Sequence, residues 1–315
     1  MKGSRCKNMV RDTQQVRRAI LFINPNNKQA RDLGVQILDE LASLKIKAYL
    51  AQGQTSSLSL CKETSSLSLC KVSDIAISLG GDGTVLSAAR TMSPLGVPVF
   101  PVNLGTFGFI AGVQAHEWRE LFSLWCCGKA ALSRRLMLEI SVKRGNTEVF
   151  SGSCLNDVVV SASGIAKIIN LGVFYSETGM TDFIKLGSYR SDGLIASTPT
   201  GSTAYSLAAG GPIVDPELEA IIINPICPFT LSDRPIVLPA YETVLVEVKK
   251  EQRSGVLLTV DGQVTEKLKS GDRIFLKKAP YPCVLIGSGR KGFYRTLRTK
   301  FAWAGDGEEE AGKID

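Results

Sequence analysis

Apolar residues in the first 130 positions fall in short runs, and one longer segment has a helical pattern. Residues 29–44 carry leucine and isoleucine at helical spacing. Short apolar runs, each the length of a buried strand, lie at residues 19–24, 46–51, 74–79 and 97–102. Strands that alternate with helices are typical of a parallel sheet covered on both faces, with functional groups at the carboxyl ends of its strands. We therefore predict an α/β domain over residues 1–130.

From about residue 131 the pattern changes to short alternating or β-branched runs separated by Gly, Asn, Asp and Pro. These runs lie at residues 137–143, 155–161, 168–175, 194–198, 220–223, 235–238, 243–248, 256–260, 273–277 and 282–286. They predict an all-β domain over residues 131–290, built as a sandwich or as layered sheets. Aromatic and apolar residues then recur at helical spacing, which predicts a helix over residues 291–304 that packs back on the first domain. The acidic tail, residues 305–315, is predicted to be disordered.

A tandem duplication separates the second and third apolar runs. Residues 55–62, Thr-Ser-Ser-Leu-Ser-Leu-Cys-Lys, recur letter for letter at residues 64–71. A solenoid needs several repeats, so one pair of copies does not indicate a repeat architecture. We expect the duplication to lengthen an exposed segment, and we assign it no function.

Composition narrows the class of protein. The net charge is +7, and the basic residues are spread along the chain, which favours a small polyanionic ligand over a nucleic acid. No apolar stretch reaches the roughly 18 residues of a membrane span, and residues 1–18 are polar and basic, unlike a secretory signal. Eight cysteines without a Cys-x-x-Cys pair, together with a single histidine, argue against a zinc site. Scattered thiols predict a cytoplasmic location.

The glycine turn at residues 80–84, Gly-Gly-Asp-Gly-Thr, follows the third apolar run and precedes a helical segment. Glycines let backbone N–H groups approach a phosphate closely, and a helix N-terminus adds a positive dipole end. An aspartate would repel that phosphate, so we expect Asp82 to face a hydroxyl or a metal ion. This pattern predicts phosphoryl transfer to an alcohol. The phosphate-binding residues would be Gly80, Gly81, Gly83 and Thr84.

A second candidate is the Asn156-Asp157 pair at the head of a predicted strand. An asparagine amide can pair with an adenine edge, and the neighbouring carboxylate can accept hydrogen bonds from ribose hydroxyls. The alternative interpretation is a simple Asx turn before the strand.

A third candidate is the block of residues 191–212, which is dense in Thr, Gly and Ser. We expect Ser202 to be the N-cap of a helix of about two turns that ends at Gly210. Such a helix start, with Tyr205 one turn in, suits a bound dinucleotide. An ordinary capped helix explains Ser202 and Gly210 but not the hydroxyl density before the cap.

Other nucleotide-binding motifs are absent or incomplete. Residues 287–292 fit Gly-x-Gly-x-x-Gly, but the sequence that follows is short and leaves no place for a second strand, so a Rossmann unit is not expected. The chain has neither the P-loop pattern nor the His-Arg-Asp signature of protein kinases.

Taken together, these segments resemble the NAD kinase family, which phosphorylates the adenosine-ribose 2′-hydroxyl of NAD to give NADP. The matching stretches keep the family's order and lie at residues 80–84, 103–109, 155–157, 191–205, 225–235, 260–263 and 297–303. The first motif also occurs in diacylglycerol kinases, sphingosine kinases and phosphofructokinases, whereas the long 191–205 match is specific. The resemblance implies a phosphofructokinase-like α/β domain followed by an all-β domain that binds the dinucleotide.

The resemblance also implies roles for particular residues. Asp82 would be the catalytic carboxylate in contact with the acceptor 2′-hydroxyl, with Gly83 beside it. Asn156 and Asp157 would hold adenine and ribose, and Asp192 would contact the nicotinamide half. The other implied dinucleotide contacts are Phe109, Lys167, Arg190, Thr203, Ala204, Tyr205, Ser206 and Gln263.

The implied substrates are NAD and ATP, with polyphosphate as the donor in some members. Mg²⁺ would be carried by the nucleotide, without a dedicated protein metal site. The implied assembly is a homodimer or homotetramer, and no nucleic-acid or membrane partner is expected.

The chain departs from the family pattern at two positions. Asp157 stands where many members have Glu, which keeps the charge. Phe229 stands where the family has His, which removes any hydrogen bond that the His made.

Two other functions remain open from the sequence. A lipid or sugar kinase would share the glycine-aspartate turn, although the chain has no apolar entry surface for a lipid. A non-catalytic dinucleotide sensor would bind NADP without turnover, although a phosphate binder gains nothing from the Asp82 charge.

Overall fold

The structure is a computed structural model, and it describes residues 16–24, 26–51, 63–64, 67–105, 108–164, 167–177, 180, 182–252, 254–287 and 289–301. The predicted acidic tail and the first copy of the duplication lie outside the described residues. The second copy contributes to a two-residue strand and to a short helix. None of the described helices is long and apolar enough to cross a bilayer.

A mostly parallel sheet forms the first structural unit. Its strands are β1 (Arg18–Ile23), β2 (Lys47–Ala51), β3 (Glu63–Thr64), β4 (Ile75–Gly80), β5 (Val99–Asn103), β6 (Val113–Gln114), β7 (Leu132–Arg135) and β20 (Cys283–Ile286). They run in the order β3-β2-β1-β4-β5-β20-β7, with β6 beside β5 and only the β20–β7 pair antiparallel among the described strands. The chain proceeds from β1 to β2 on one side and from β4 to β5 on the other. The switch point therefore lies between β1 and β4, and β4 ends at Gly80.

Helices cover both faces of this sheet, as the alternation predicts. They are α1 (Lys28–Ser43), α2 (Leu67–Val72), α3 (Asp82–Met92) and α4 (Trp118–Cys126). Strand residues alternate between the two faces, so Leu21 and Ile77 pack with α1 and α4, whereas Ile20 and Ala76 pack with α3. The parallel α/β core predicted from the sequence is confirmed.

Two antiparallel six-stranded sheets form the second unit. Their strands are β8 (Leu138–Arg144), β9 (Thr147–Cys154), β10 (Asp157–Ala162), β11 (Ile169–Ser176), β12 (Ile184–Ser191), β13 (Gly193–Ser197), β14 (Ala220–Ile226), β15 (Ile236–Pro239), β16 (Thr243–Val248), β17 (Val256–Val260), β18 (Val264–Leu268) and β19 (Arg273–Lys278). The strand orders are β15-β14-β13-β10-β17-β18 and β12-β11-β16-β19-β8-β9, and a short helix, α5 (Tyr205–Ala208), lies between β13 and β14 in the chain. One buried apolar cluster draws on both sheets, so they form a sandwich, as predicted.

The predicted boundary between the units needs a correction. Strands β7 and β20 fall inside the range predicted to be all-β, but both pair within the first sheet. An apolar run shows that a strand is buried, but it does not show which sheet the strand joins. The chain thus leaves the first unit after β7 and returns to it at β20.

Helix α6 (Arg290–Phe301) follows β20. It buries Phe293, and the Phe109 ring of the first unit lies 6.1 Å from the Phe293 ring. Asp215 of the second unit accepts hydrogen bonds from Arg290 and Tyr294 on the same helix. The helix therefore contacts both units.

Candidate functional site

The glycine turn lies at the carboxyl end of β4, where helix α3 begins. A Cβ at Gly80 would overlap the Thr84 hydroxyl, so this position requires glycine. Gly81 is the N-cap of α3, and both Gly81 and Gly83 are exposed, with open space around Gly81. The turn thus presents accessible backbone at a helix N-terminus, which is the arrangement that binds phosphate.

The Asp82 carboxylate is held by the loop after β5. It accepts hydrogen bonds from the backbone N–H groups of Phe109 (3.1 Å), Ile110 (3.3 Å) and Ala111 (3.0 Å). A Cβ at Gly108 would overlap this carboxylate, so the loop approaches closely only because residue 108 is glycine. The sequence analysis did not identify Gly108, although it lies within the matched stretch at residues 103–109. Residues 106 and 107 of that stretch lie outside the described residues.

A series of polar contacts connects this turn to the sandwich. The Gln263 side-chain amide donates to the Gly83 carbonyl oxygen at 2.8 Å and accepts from Arg90 of α3. Arg90 also forms an ion pair with Asp261 at 2.9 Å, and the Asp261 side chain is completely buried. Gln263 and Asp261 therefore dock the second unit on the helix that starts with Asp82.

Asp261 also positions the Asn156-Asp157 pair. Its carboxylate accepts from the backbone N–H groups of Leu155 (3.2 Å), Asn156 (2.8 Å) and Asp157 (3.3 Å). Asp261 itself has a φ of +49°, the left-handed conformation that Asp tolerates in tight turns. The sequence analysis did not name Asp261 as a site residue, although the matched stretch at residues 260–263 contains it.

A cavity of about 380 Å³, here called the β10 cavity, opens beside this strand head. Val158 and Val160 of β10 face the sandwich core, so Asp157, Val159 and Ser161 point the opposite way and line the cavity. The other lining residues are Asn156, Ala204, Tyr205, Thr259, Asp261 and Gly262. The β10 cavity thus brings together four of the predicted dinucleotide contacts.

Two buried polar groups in this cavity, the Asn156 amide oxygen and the Asp157 carboxyl, are in unfavourable surroundings. The Asn156 Oδ1 atom is buried and has no hydrogen-bond partner among the described residues. Burial, reinforced by the nearby Asp261 charge, raises the pKa of Asp157 to about 7. A buried acceptor without a donor costs about 1–3 kcal/mol. Both groups therefore fit a ligand that supplies hydrogen-bond donors, and the free Oδ1 does not fit an Asx turn.

The hydroxyl-rich segment before Tyr205 serves mainly to hold the strand head. The Thr198 hydroxyl donates to the Leu155 carbonyl oxygen, and the Ser197 hydroxyl donates to that of Asn156. A Cβ at Gly201 would overlap the Asn156 carbonyl, so glycine permits this close approach. The density of small residues is therefore explained by contacts within the protein.

The prediction that Ser202 caps a helix is wrong. Residues Gly201–Thr203 form a 3₁₀ turn, and Ala204 separates this turn from α5. Ser202 is completely buried, and its hydroxyl accepts from the Val214 N–H at 3.0 Å. Gly210 does end the helix, at a φ of +80°.

The remaining predicted site residues lie outside the β10 cavity. Ser206 is buried and accepts from the Asn224 amide. Arg190 of β12 lies over the Phe229 ring at 5.0 Å, so Phe229 keeps a cation–π contact in place of a hydrogen bond. The Asp192 N–H donates to the carbonyl oxygen of Ile226, between β12 and β13. Lys167 lies near Gly164, and Thr203 donates to the Thr200 carbonyl oxygen.

Comparison with known proteins assigns both units to one family. The family models described as the ATP-NAD kinase N-terminal and C-terminal domains match residues 19–126 and 155–288. The NAD kinase of Treponema denticola is 46% identical over 233 residues, covering 74% of this chain and 80% of that protein. The NAD kinase of Citrifermentans bemidjiense is 35% identical over 291 residues, covering 91% and 99%.

Two solved structures share the fold. A yeast NADH kinase complexed with NADH has a TM-score of 0.83 at 22% identity, covering 94% of this chain and 90% of that chain. An NAD kinase from Archaeoglobus fulgidus in complex with ATP has a TM-score of 0.66 at 24% identity, covering 91% and 98%.

Proposed function

The chain belongs to the NAD kinase family, and we propose that it transfers the γ-phosphate of ATP to the ribose 2′-hydroxyl of NAD at the Asp82 turn. The roles of individual residues in this transfer are part of the proposal. These roles rest on a continuous series of polar contacts between the two units. The series runs from Gly83 through Gln263, Arg90 and Asp261 to the Asn156-Asp157 pair. It ties a phosphate-binding turn on one unit to a nucleoside-sized cavity on the other.

In this proposal the adenosine half of NAD occupies the β10 cavity. The unpaired Asn156 Oδ1 accepts from the adenine amino group, which removes the cost of its burial. Asp157 accepts a hydrogen bond from a ribose hydroxyl. The half-exposed Tyr205 ring lines the cavity and is available to the base. Lys167, Arg190 and Asp192 would contact the distal half of the dinucleotide.

Asp82 acts on the acceptor hydroxyl. A carboxylate has about four lone-pair sites, and three are used by the N–H groups of Phe109, Ile110 and Ala111. One site therefore remains for the 2′-hydroxyl. Because the loop fixes the carboxylate, Asp82 orients the hydroxyl and accepts its proton. The hydroxyl oxygen bonds to the γ-phosphorus as the bond from that phosphorus to the bridging oxygen breaks, and ADP leaves with that oxygen.

The donor phosphates lie on the backbone of residues 80–84, where the dipole of α3 favours negative charge. Mg²⁺ bound to the nucleotide would neutralise phosphate charge during transfer. No group of three or more His, Cys, Asp or Glu suited to a metal ion occurs in the ranges that the structure describes.

The test is incubation of the protein with ATP, Mg²⁺ and NAD, with NADP measured by a coupled dehydrogenase. Diacylglycerol and fructose 6-phosphate serve as competing acceptors with labelled ATP. We expect NADP alone to accumulate. Labelled lipid or sugar would favour the kinases that share the glycine-aspartate turn, and tight NADP binding without turnover would favour a sensor.

The proposal includes a cytoplasmic homodimer or homotetramer. The six cysteines that the described residues contain are free thiols, which supports a reducing compartment. Sedimentation velocity of the purified chain measures the oligomeric state, and a monomer at all concentrations would contradict this part.

A further inference from the structure

Helix α6 holds the ring of Phe109 in the loop after β5. The centroid of this ring lies 6.1 Å from that of Phe293 and 6.2 Å from that of Phe301, which is stacked on it. Phe293 and Phe301 are eight residues apart, about 12 Å along the helix, so a ring at these distances from both lies between them. The Lys300 ammonium lies 4.7 Å from the centroid of the same ring. Three side chains of α6 therefore contact one side chain of the loop.

Phe109 is well placed to transmit this contact to the loop. Gly105 and Gly108, which precede it, have no side chain that could anchor the backbone. Ile110 and Ala111, which follow it, are buried in the core of the first unit. The part of the loop at Phe109 therefore depends on α6, whereas the part after it depends on the core.

The backbone of Phe109 holds one oxygen of the Asp82 carboxylate. Its N–H donates to Oδ2 at 3.1 Å, whereas the N–H groups of Ile110 and Ala111 both donate to Oδ1. Within the part of the chain that the structure describes, Phe109 is thus the only donor to Oδ2. The rotation of the carboxylate about its own axis is therefore set by Phe109 together with the two donors on the other oxygen.

The start of α6 is fixed to the second unit through Asp215. The Asp215 carboxylate accepts from Arg290 Nε at 2.7 Å and from the Tyr294 hydroxyl at 2.6 Å. Only 11% of the Asp215 side chain is exposed, so these charge-assisted contacts are partly shielded from water. The helix that contacts Phe109 is therefore itself placed by the unit that contains the β10 cavity.

We propose that Phe293 and Phe301 are positioning residues, which act through Phe109 to keep the Asp82 carboxylate in the orientation that meets the acceptor hydroxyl. Asp215 connects this arrangement to the second unit. The inference rests on the proposed role of Asp82 in the transfer. A helix that only covered apolar surface would contribute to stability, and its exposed end would not affect kcat.

The test is the kinetics of Phe301→Ala in the full chain. We expect kcat to fall about tenfold. The KM values for NAD and ATP should change less than about twofold, because the orientation of Asp82 matters in the transition state and not for binding. The Phe301 side chain is 37% exposed, so the midpoint of thermal unfolding should change little. Phe301→Tyr keeps the ring and should keep kcat, as should the matched control Tyr241→Ala at an exposed aromatic residue of the second unit.

A double-mutant cycle tests whether Phe301 acts through Phe109. In a Phe109→Leu background, Phe301→Ala should cause no further loss of kcat, because the ring that it contacts is already absent. Asp215→Ala should lower kcat in the same way as Phe301→Ala, since it releases the start of α6.

Amide hydrogen exchange measured by NMR tests the same contact without turnover. In Phe301→Ala the Phe109 amide should exchange about tenfold faster, whereas the Ala111 amide, in the core, should exchange as in the wild type.

Three results would overturn the positioning role: wild-type kcat in Phe301→Ala, additive losses in the double variant, or unchanged exchange of the Phe109 amide. Wild-type kcat in Asp215→Ala would overturn the connection to the second unit. A wild type that forms no NADP would instead contradict the proposed function, and the exchange experiment would still test the contact with α6. The two failures are therefore distinguishable.

Discussion

At the residue scale, the site depends on two buried carboxylates with opposite roles. Asp261 forms an ion pair with Arg90 and accepts hydrogen bonds from three backbone N–H groups, so its carboxylate is satisfied by contacts within the protein. Asp157 lies beside it, and the pKa of Asp157 is raised to about 7 by burial and by the Asp261 charge. One carboxylate therefore builds the site, and the other is available to a ligand.

The raised pKa of Asp157 predicts that NAD affinity depends on pH. A ribose hydroxyl donates more strongly to the ionised carboxylate than to the neutral carboxyl group, so binding should tighten as pH rises through about 7. We expect NAD to bind up to about tenfold more weakly at pH 6 than at pH 8, because the ionised fraction of a carboxyl with a pKa of about 7 rises about tenfold over this range. Calorimetry on the nucleotide-free protein measures this dependence.

The controls for this dependence are Asp157→Asn, which should give a flat profile, and Asp39→Asn on the exposed side of α1, which should keep it. The raised pKa of Asp157 also affects the free energy of folding. Above the pKa that Asp157 has in the unfolded chain, the folded protein must either hold a proton there or bury a charge, and both cost stability. The free protein should therefore lose stability progressively as pH rises from about 4 to about 7. Equal NAD affinities at pH 6 and pH 8 would contradict the assigned role.

Asp82→Asn should retain the fold and lose about 10²- to 10⁴-fold in kcat, since an amide does not accept the proton of the acceptor hydroxyl. NADP formation measures kcat, and circular dichroism measures retention of the fold. Asp39→Asn again serves as a control for the charge change. A variant with near-normal kcat would show that Asp82 is not the base.

At the element scale, the sequence predicted the central strands and missed strands at the sheet edges. Strands β7, β9, β12 and β18 escaped detection, and each lies at the edge of its sheet. Strand β9, for example, has only two buried positions, at its end. An edge strand buries less apolar surface than a central strand, so apolar and polar residues alternate less clearly in its sequence. Its pairing is determined by the neighbouring strand. The helix split at Ala204 was missed for a similar reason, because Ser202 binds Val214, twelve residues away.

The start of β10 should depend on Asp261. Breaking a buried ion pair leaves the other charge uncompensated, so Asp261→Ala should lower the free energy of unfolding by about 3–5 kcal/mol. Urea denaturation measures the loss. Glu139→Ala breaks the exposed pair with Lys277 and should cost less than about 1 kcal/mol. Similar losses in both variants would contradict the role assigned to Asp261.

At the scale of the whole molecule, the two units meet through residues that are far apart in the chain. Arg90 and Asp261 are 171 positions apart, and Gln263 lies 180 positions from Gly83. The sequence indicated the turn, the Asn-Asp pair and residues 260–263 as separate motifs. Their connection depends on long-range packing, which no local pattern contains. Arg90 and Gly108 were missed for this reason.

Gln263→Ala should loosen the alignment of the turn with the β10 cavity without unfolding either unit, because the Arg90–Asp261 ion pair remains. Loss of the hydrogen bonds to Gly83 and Arg90 should lower kcat/KM for NAD about tenfold, or about 1.4 kcal/mol. The midpoint of thermal unfolding should change little, because Gln263 is exposed. Gln36→Ala on the exposed side of α1 is the matched control. An unchanged kcat/KM would show that the contact is not needed for alignment.

Strand β20 lies between β5 and β7 in the first sheet, although the whole sandwich separates it from both of them in the chain. During synthesis, a nascent chain that has emerged only as far as α4 leaves the β5 side of this sheet without that neighbour. The ribosome must therefore deliver the whole sandwich and β20 before the first sheet is complete. Premature termination before β20 would yield a product in which β5 and β7 lack their shared neighbour. We expect chaperones or proteases to bind such an exposed edge.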